Sequence, residues 1–375
     1  MRVKRDELVG TVQRLSLAHS LEEIQEIVRV AARRLTGADG AAFVIRAGDY
    51  CYFADEDAIT PMWKGQRLPL RSCIAGWAML NGHPAAIEDI YADERVPHEP
   101  YRPTLVKSVA VVPIRQHDPI GAITNFWTSR HRATASELGA LQALADSTAV
   151  AMENVRINQE LEVSRLETLQ RLALAAEYRD DGTRQHTERV ARTSRAIAEH
   201  LGLPTAQTSL IYQAAPLHDV GKLAVPESIL LKPGQLTPNE FEQVKSHTTT
   251  GGAILAGSSS HILQTAEEIA LTHHEWWNGC GYPAGLAGEE IPVSGRIVGL
   301  ADVFDALTHE RPYKDAWPVY QAVEEIQAHR GTQFDPEIVE VFMELDPDSL
   351  VDLPSDASPL ATVGSNGAHL NGAYR

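Results

Sequence analysis

From Ala140 to Asp181 the chain runs for 42 residues without a glycine or a proline. Rich in Ala, Leu, Glu, Gln and Arg, the run suits one helix of about 60 Å at 1.5 Å per residue. No clean heptad seam survives its length, because Asn158 and Ser164 interrupt it. Two readings stand open: a helix packed on both flanking domains, or the stalk of a parallel dimer. At 375 residues the chain has room for such a connector between about two domains.

The stretches on either side differ in texture. Residues 1–37 read as helix, with Leu21, Ile24, Ile27, Val28, Ala31 and Leu35 in the helical period. From Ala41 to Trp127 short β-like runs (AAFVI, VKSVAVVPI, IGAITNFW) alternate with Gly-, Pro-, Asp- and Asn-bearing turns. That pattern predicts an α+β domain around an antiparallel sheet, placed at 1–150, with the connecting helix at 140–181. Residues 183–345 are mostly helical in pattern, and the Ser/Gly/Ala/Asn-rich tail, 355–375, reads as disordered.

A formal charge of −17 argues against polymeric nucleic acid or an anionic membrane as partner, since both need basic surfaces. An anionic small molecule stays open if local cations or metal ions override the global field. No apolar run approaches the roughly 18 residues of a membrane span, and MRVKRDELVG lacks a secretory core. Three scattered cysteines, Cys51, Cys73 and Cys280, argue against a disulfide framework and for a reducing cytoplasm.

Seven of the fifteen histidines fall between residues 186 and 274. In order, the candidate ligands are His186, His218, Asp219, His247, His273, His274 and Asp302. An isolated His-Asp pair is more often incidental, and a lone buried histidine is usually a satisfied core residue. The combination carries the weight: a di-metal centre wants several imidazoles and a carboxylate able to bridge. No sulfur ligand lies close in sequence, so the set suits Fe, Mn, Co, Ni or Zn bound through nitrogen and oxygen.

The motifs HTERV (186–190), LHDVGK (217–222), KSH (245–247), HHEWWNGCGYP (273–283) and ADVFDALTHERPYK (301–314) together resemble the HD-GYP domain. This is a branch of the HD superfamily of metal-dependent phosphohydrolases, and the resemblance spans 175–345. It implies an all-α domain that hydrolyses the bacterial second messenger cyclic di-GMP to pGpG or GMP. It implies one divalent ion on His186, His218, Asp219 and Asp302, and a second on Asp219, His247, His273 and His274, with Asp219 bridging. Iron is the first expectation and manganese the next. Lys222 would face the solvent between the ions or a phosphate oxygen. Gly281, Tyr282 and Pro283 would shape the guanine site, Arg311 and Lys314 would bind the ligand, and Asp180 and Asp305 would orient ligands or relay a proton. Two departures stand out. Gly182 replaces a glutamate that helps some members hold a third metal, which favours two ions. Asn278 replaces the usual Asp ahead of the GYP turn.

Upstream, LTGADGAAFVI, PLRSCIAGWAMLNGHPAAIEDIYADERVP, VKSVAVVPI, PIGAITNFW and LQALADSTAVAMENV resemble a GAF domain, a sensory α+β fold. The resemblance implies a small-ligand sensor or a dimerisation module. Cys73 reads as a packing residue rather than a cofactor attachment point. Trp63, Trp77 and Trp127 are left as core or pocket wall. The leading expectation is therefore a cytoplasmic, homodimeric, GAF-controlled cyclic di-GMP phosphodiesterase. The second is a catalytically weak receptor that passes the signal to a protein partner. A hydrolase for another nucleotide is the third.

Overall fold

The computed structural model describes residues 2–58, 62–180, 185–310 and 316–351. The tail expected to be disordered lies outside the described residues. The chain divides into two compact units, with the boundary between Glu162 and Val163.

In the first unit, the helix expected over 1–37 is in fact two: α1 (Arg2–Ser16) and α2 (Leu21–Thr36). Ser20 makes the break. Its hydroxyl accepts the Glu23 N–H at 3.1 Å, and the Glu23 carboxylate accepts the His19 N–H at 3.0 Å, so a new helix starts there. Gly37, in the left-handed region at φ 74°, closes α2. The apolar residues at helical spacing on α2 are all buried against the sheet. Each such Leu, Ile or Val contributes about 1.5–3 kcal/mol.

Six strands follow: β1 (Gly40–Ala47), β2 (Tyr50–Asp57), β3 (Arg67–Pro69), β4 (Ala85–Ile87), β5 (Ser108–Ile114) and β6 (Gly121–Trp127), with α3 (Ile74–Asn81) between β3 and β4. They form one antiparallel sheet in the order β3-β2-β1-β6-β5-β4. The period-two alternation is plain in β6. Ile123 and Trp127 face the helices α1, α2 and α4 (Ala135–Asp180), while Ala122 and Phe126 face α3 and the loops. Asn125, buried among the helices, donates to Ala32 O at 2.8 Å and Thr36 Oγ1 at 2.6 Å, which ties α2 to the sheet.

Trp63 is buried in the α3-side core, edge-on to Tyr101 and Phe126, and Trp127 is buried on the helix side, so both are core. Trp77 is half-buried beneath Arg95. Cys73 caps α3, and its sulfur lies 3.2 Å from that of Cys51. Both thiols are free and buried.

The long helix α4 has 46 residues and starts five residues ahead of the Gly-free run. Thr134 and Glu137 set the start by exchanging bonds, Glu137 N–H to Thr134 Oγ1 at 3.2 Å and Thr134 N–H to Glu137 Oε2 at 2.9 Å. Gly139, just inside, costs only its propensity.

The second unit is all-α: α5 (His186–His200), α6 (Thr205–Ala214), α7 (Glu227–Leu230), α8 (Pro238–Leu255), α9 (His261–Thr272), α10 (Val293–Thr308), α11 (Val319–Ala328), α12 (Pro336–Glu344) and α13 (Pro347–Val351). Its core gathers Val190 and Ile197 of α5, Ile269 of α9, Ile297 and Phe304 of α10, and Phe342 of α12. No helix among the described residues is long and apolar enough to cross a membrane.

Candidate metal centre

The candidate ligands come from five places in the second unit. His186 opens α5, and its entry is fixed by Glu177 of α4. The Glu177 carboxylate accepts the His186 N–H and the Thr187 hydroxyl, each at 2.9 Å. His218 and Asp219 lie in a turn between two 3-10 segments, Ala215–Leu217 and Val220–Ala224, rather than on a continuous helix. His247 is on α8, His273 caps the C-terminus of α9 with His274 in the turn after it, and Asp302 is on α10.

Gly221 explains how the His218–Asp219 turn reaches α8. A β-carbon there would lie 1.9 Å from His247 O and 2.5 Å from Gly251 N, both backbone atoms. Only glycine lets the two backbones come this close.

Two ligand groups result: His186, His218 and Asp302; and Asp219, His247, His273 and His274. Asp219 faces both. Its Oδ2 lies 3.2 Å from His218 Nε2, and its Oδ1 lies 3.3 Å from His247 Nε2 and 3.8 Å from His273 Nε2. Asp302 Oδ1 stands 3.4 Å from His186 Nε2 and 3.8 Å from His218 Nε2.

The outer nitrogens of His186, His218, His247 and His273 are engaged. Nδ1 of His218, His247 and His273 donates to the carbonyls of Ala215, Val244 and Ile269 at 2.9, 2.7 and 3.0 Å. His186 Nδ1 pairs with Asp305 Oδ2 at 2.6 Å, and Arg189 and His309 hold the same carboxylate. In the neutral form of these four rings this leaves the lone pair on Nε2, turned inward. His247 and His273 therefore aim two lone pairs at each other across 3.4 Å. His218 Nε2 and Asp219 Oδ1 are buried without a hydrogen bond. Buried polar atoms left this way are costly unless a cation takes them up, so the donor set fits divalent ions. No thiolate joins either group among the described residues.

Burial pushes His273 well below its ordinary range, with the neighbouring imidazoles adding to it, and brings His274 down to about 4. His247 is likewise lowered by burial, against the pull of Asp219. For His218, burial also acts downward, but Asp219 outweighs it and raises the ring to about 9. Burial disfavours the Asp219 carboxylate, yet Lys222 and His218 hold it well below the usual range. Lys222 Nζ sits 2.7 Å from Asp219 Oδ2, bound to the carboxylate that faces both groups.

The GYP turn lies on the second group. Tyr282 N–H donates to His274 O at 3.1 Å, and the two rings are 4.9 Å apart. A β-carbon on Gly281 would come within 2.3 Å of Trp276 N, so the turn tolerates no side chain there. Pro283, joined to Tyr282 by a cis peptide, is exposed. Asn278 Oδ1 accepts the Cys280 N–H at 2.9 Å, a turn-forming bond that Asn makes as well as Asp.

Sequence reasoning missed three residues here. Buried Glu275 accepts the N–H groups of Ala284, Gly285 and Leu286 at 2.7, 3.1 and 3.0 Å, and so shapes the loop after the turn. Its place beside two histidines was the available signal. Glu177 and Arg189 gave none. Arg311, Lys314 and Gly182 lie outside the described residues, as does the side chain of Asp180.

Residues 171–338 match the HD domain family model, and residues 18–153 match the GAF domain model. The chain is a GAF domain followed by an HD domain. The chain is 52% identical across 180 residues to a cyclic di-GMP phosphodiesterase of Thermotoga maritima, covering 48% of this chain and 49% of that protein. It is 48% identical across 184 residues to the cyclic di-GMP phosphodiesterase response regulator RpfG of Xanthomonas campestris, covering 49% of each. A 3'3'-cGAMP-specific phosphodiesterase 2 of Vibrio cholerae is 44% identical across 195 residues, covering 52% of this chain and 37% of that protein. The chain thus spans about half the length of the first two relatives and less of the third.

Proposed function

We propose that this chain is a GAF-regulated, metal-dependent phosphodiesterase that hydrolyses cyclic di-GMP to pGpG or GMP. The observation that carries the reading is the Asp219 carboxylate, whose two oxygens face two separate imidazole groups at 3.2 and 3.3 Å. The names of the HD-domain relatives support the substrate class.

In this reading His186, His218, Asp219 and Asp302 hold one ion, and Asp219, His247, His273 and His274 hold the other. Iron is the first expectation and manganese the second. Divalent ions there supply charge neutralisation of the phosphodiester and activation of water. The protein does the rest. Asp305 fixes the His186 ring, Lys222 keeps a cation beside the place where phosphate charge develops, and Tyr282 flanks a guanine. Gly281 and Pro283 shape that turn, Arg311 and Lys314 bind phosphate or base, and Asp180 serves as a further orienting carboxylate. The domain at 1–150 senses a small ligand in the cytoplasm and acts through the connecting helix.

The test is anaerobic reconstitution with Fe(II) or Mn(II), followed by chromatography of cyclic di-GMP beside an Asp219→Ala control. Turnover that the control lacks supports the enzyme. Tight binding without turnover under every metal supports a receptor instead. One relative is named for 3'3'-cGAMP, so that dinucleotide belongs in the same assay.

A further inference from the structure

One aromatic side chain beside the histidines serves no core. Phe241 lies on α8, six residues before His247, and keeps 45% of its surface exposed. Its ring stands at 77° to that of Tyr282, with centroids 6.4 Å apart. Lys245, one helical turn on, puts its ammonium 4.9 Å from the Phe241 centroid and 5.4 Å from that of Tyr282. Glu242 holds the same ammonium at 2.8 Å. Two rings in an edge contact near a right angle, with the Lys245 ammonium over both, thus stand beside the centre, Tyr282 against His274.

An exposed phenyl ring gains little from water, and a flat base laid on it covers the ring without a shape requirement. A base lying against Phe241 brings one edge toward Lys245. That edge decides which base is accepted. Guanine offers two acceptors there, N7 and O6, whereas adenine offers N7 and an N6 amino donor. An ammonium can only donate, so it attracts the guanine edge and repels the adenine amino group.

We infer that Phe241 and Lys245 form a purine subsite, in which Phe241 stacks one base of the cyclic dinucleotide and Lys245 selects guanine. The inference rests on the phosphodiesterase reading above and names the residues that set its base preference. 3'3'-cGAMP can present its guanine to the same subsite, so the deciding comparison is cyclic di-GMP against cyclic di-AMP.

The experiment measures kcat/KM for both dinucleotides on the metal-loaded full chain, its Lys245→Met variant and its Phe241→Ala variant. The wild type is expected to prefer cyclic di-GMP by at least about tenfold, and Lys245→Met to cut that preference about five- to tenfold. Phe241→Ala is expected to raise KM about fivefold or more for both, with the preference kept. A lysine that only packs on the rings would leave the ratio alone. A preference equal in the wild type and Lys245→Met, or a KM unmoved in Phe241→Ala, overturns the subsite. A wild type that hydrolyses neither dinucleotide removes the phosphodiesterase reading, and this inference with it.

Discussion

Asp305 shows how much of the centre depends on residues that touch no substrate. Burial acts against its charge, but His186 and Arg189 hold the carboxylate ionised below its ordinary range. That charge fixes a proton on His186 Nδ1 and leaves Nε2 toward Asp302. Asp305→Asn keeps the shape and loses the charge. Metal affinity, or kcat/KM, should fall about 10- to 100-fold, read by elemental analysis beside a turnover assay. Unchanged metal content and turnover would reduce Asp305 to an anchor for Arg189. Gly221→Ala tests the approach of backbone to backbone. Its new methyl would lie 1.9 Å from His247 O, so the turn or α8 must shift. The cost is about 1–3 kcal/mol of stability, seen as a lower Tm, together with lost metal because Asp219 and His247 move apart. An undiminished Tm would mean that the turn moves freely.

At the scale of elements, α8 carries His247, Phe241 and Lys245, and its start is set by ionised Glu240. Lys232 lies 2.7 Å from that carboxylate, which also accepts the Thr237 N–H and hydroxyl. Lys232 first, then Thr237, brings the Glu240 pKa down from 4.5 to about 2. The folded protein therefore binds this proton less readily than the unfolded chain. The stabilisation is complete above pH 4.5 and is lost as pH falls toward 2. Glu240→Gln should lower Tm at neutral pH, with the gap to wild type narrowing between pH 4.5 and 2 in thermal melts. A gap that stays constant with pH would remove the charge from the explanation. The elements were unevenly legible. The candidate ligand groups could be read because His-Asp, His-His and Asp-x-x-Asp concentrate metal-binding chemistry within short motifs. The long helix could be read from its missing breakers, although its start lies ahead of Gly139, and Ser20 with Glu23 three residues on is the capping pair that divides the first helix. Glu177 acts on a backbone N–H nine residues on and Arg189 on Asp305, 116 residues away, and no local pattern marks such pairs, whereas Glu275 was marked only by its place beside His273 and His274. The Cys51–Cys73 contact, from β2 to the start of α3, was hidden for the same reason.

For the whole molecule, the open matter is what the middle of α4 does. The broken heptad left a packed connector and a dimer stalk as alternatives. Val150, Ile157 and Leu161 remain 61, 47 and 46% exposed, at spacings of seven and four, which aligns them along one side of the helix. Residues 157–162 are exposed throughout. An apolar stripe on a helix surrounded by water is poorly explained in a single chain, whereas a second copy of the helix, parallel and in register, would cover it. Val9 and Val12 of α1, 51 and 38% exposed, offer further apolar surface in the same unit. The expectation is a dimer at micromolar concentration by sedimentation velocity. Replacing both Ile157 and Leu161 by Asp places like charges on the stripe and should give monomers that still bind metal, since neither residue belongs to the HD unit. A wild type that sediments as a monomer would remove the stalk and leave α4 a connector within one chain. Under the proposed function, regulation would then have to pass from one domain to the other without a partner copy.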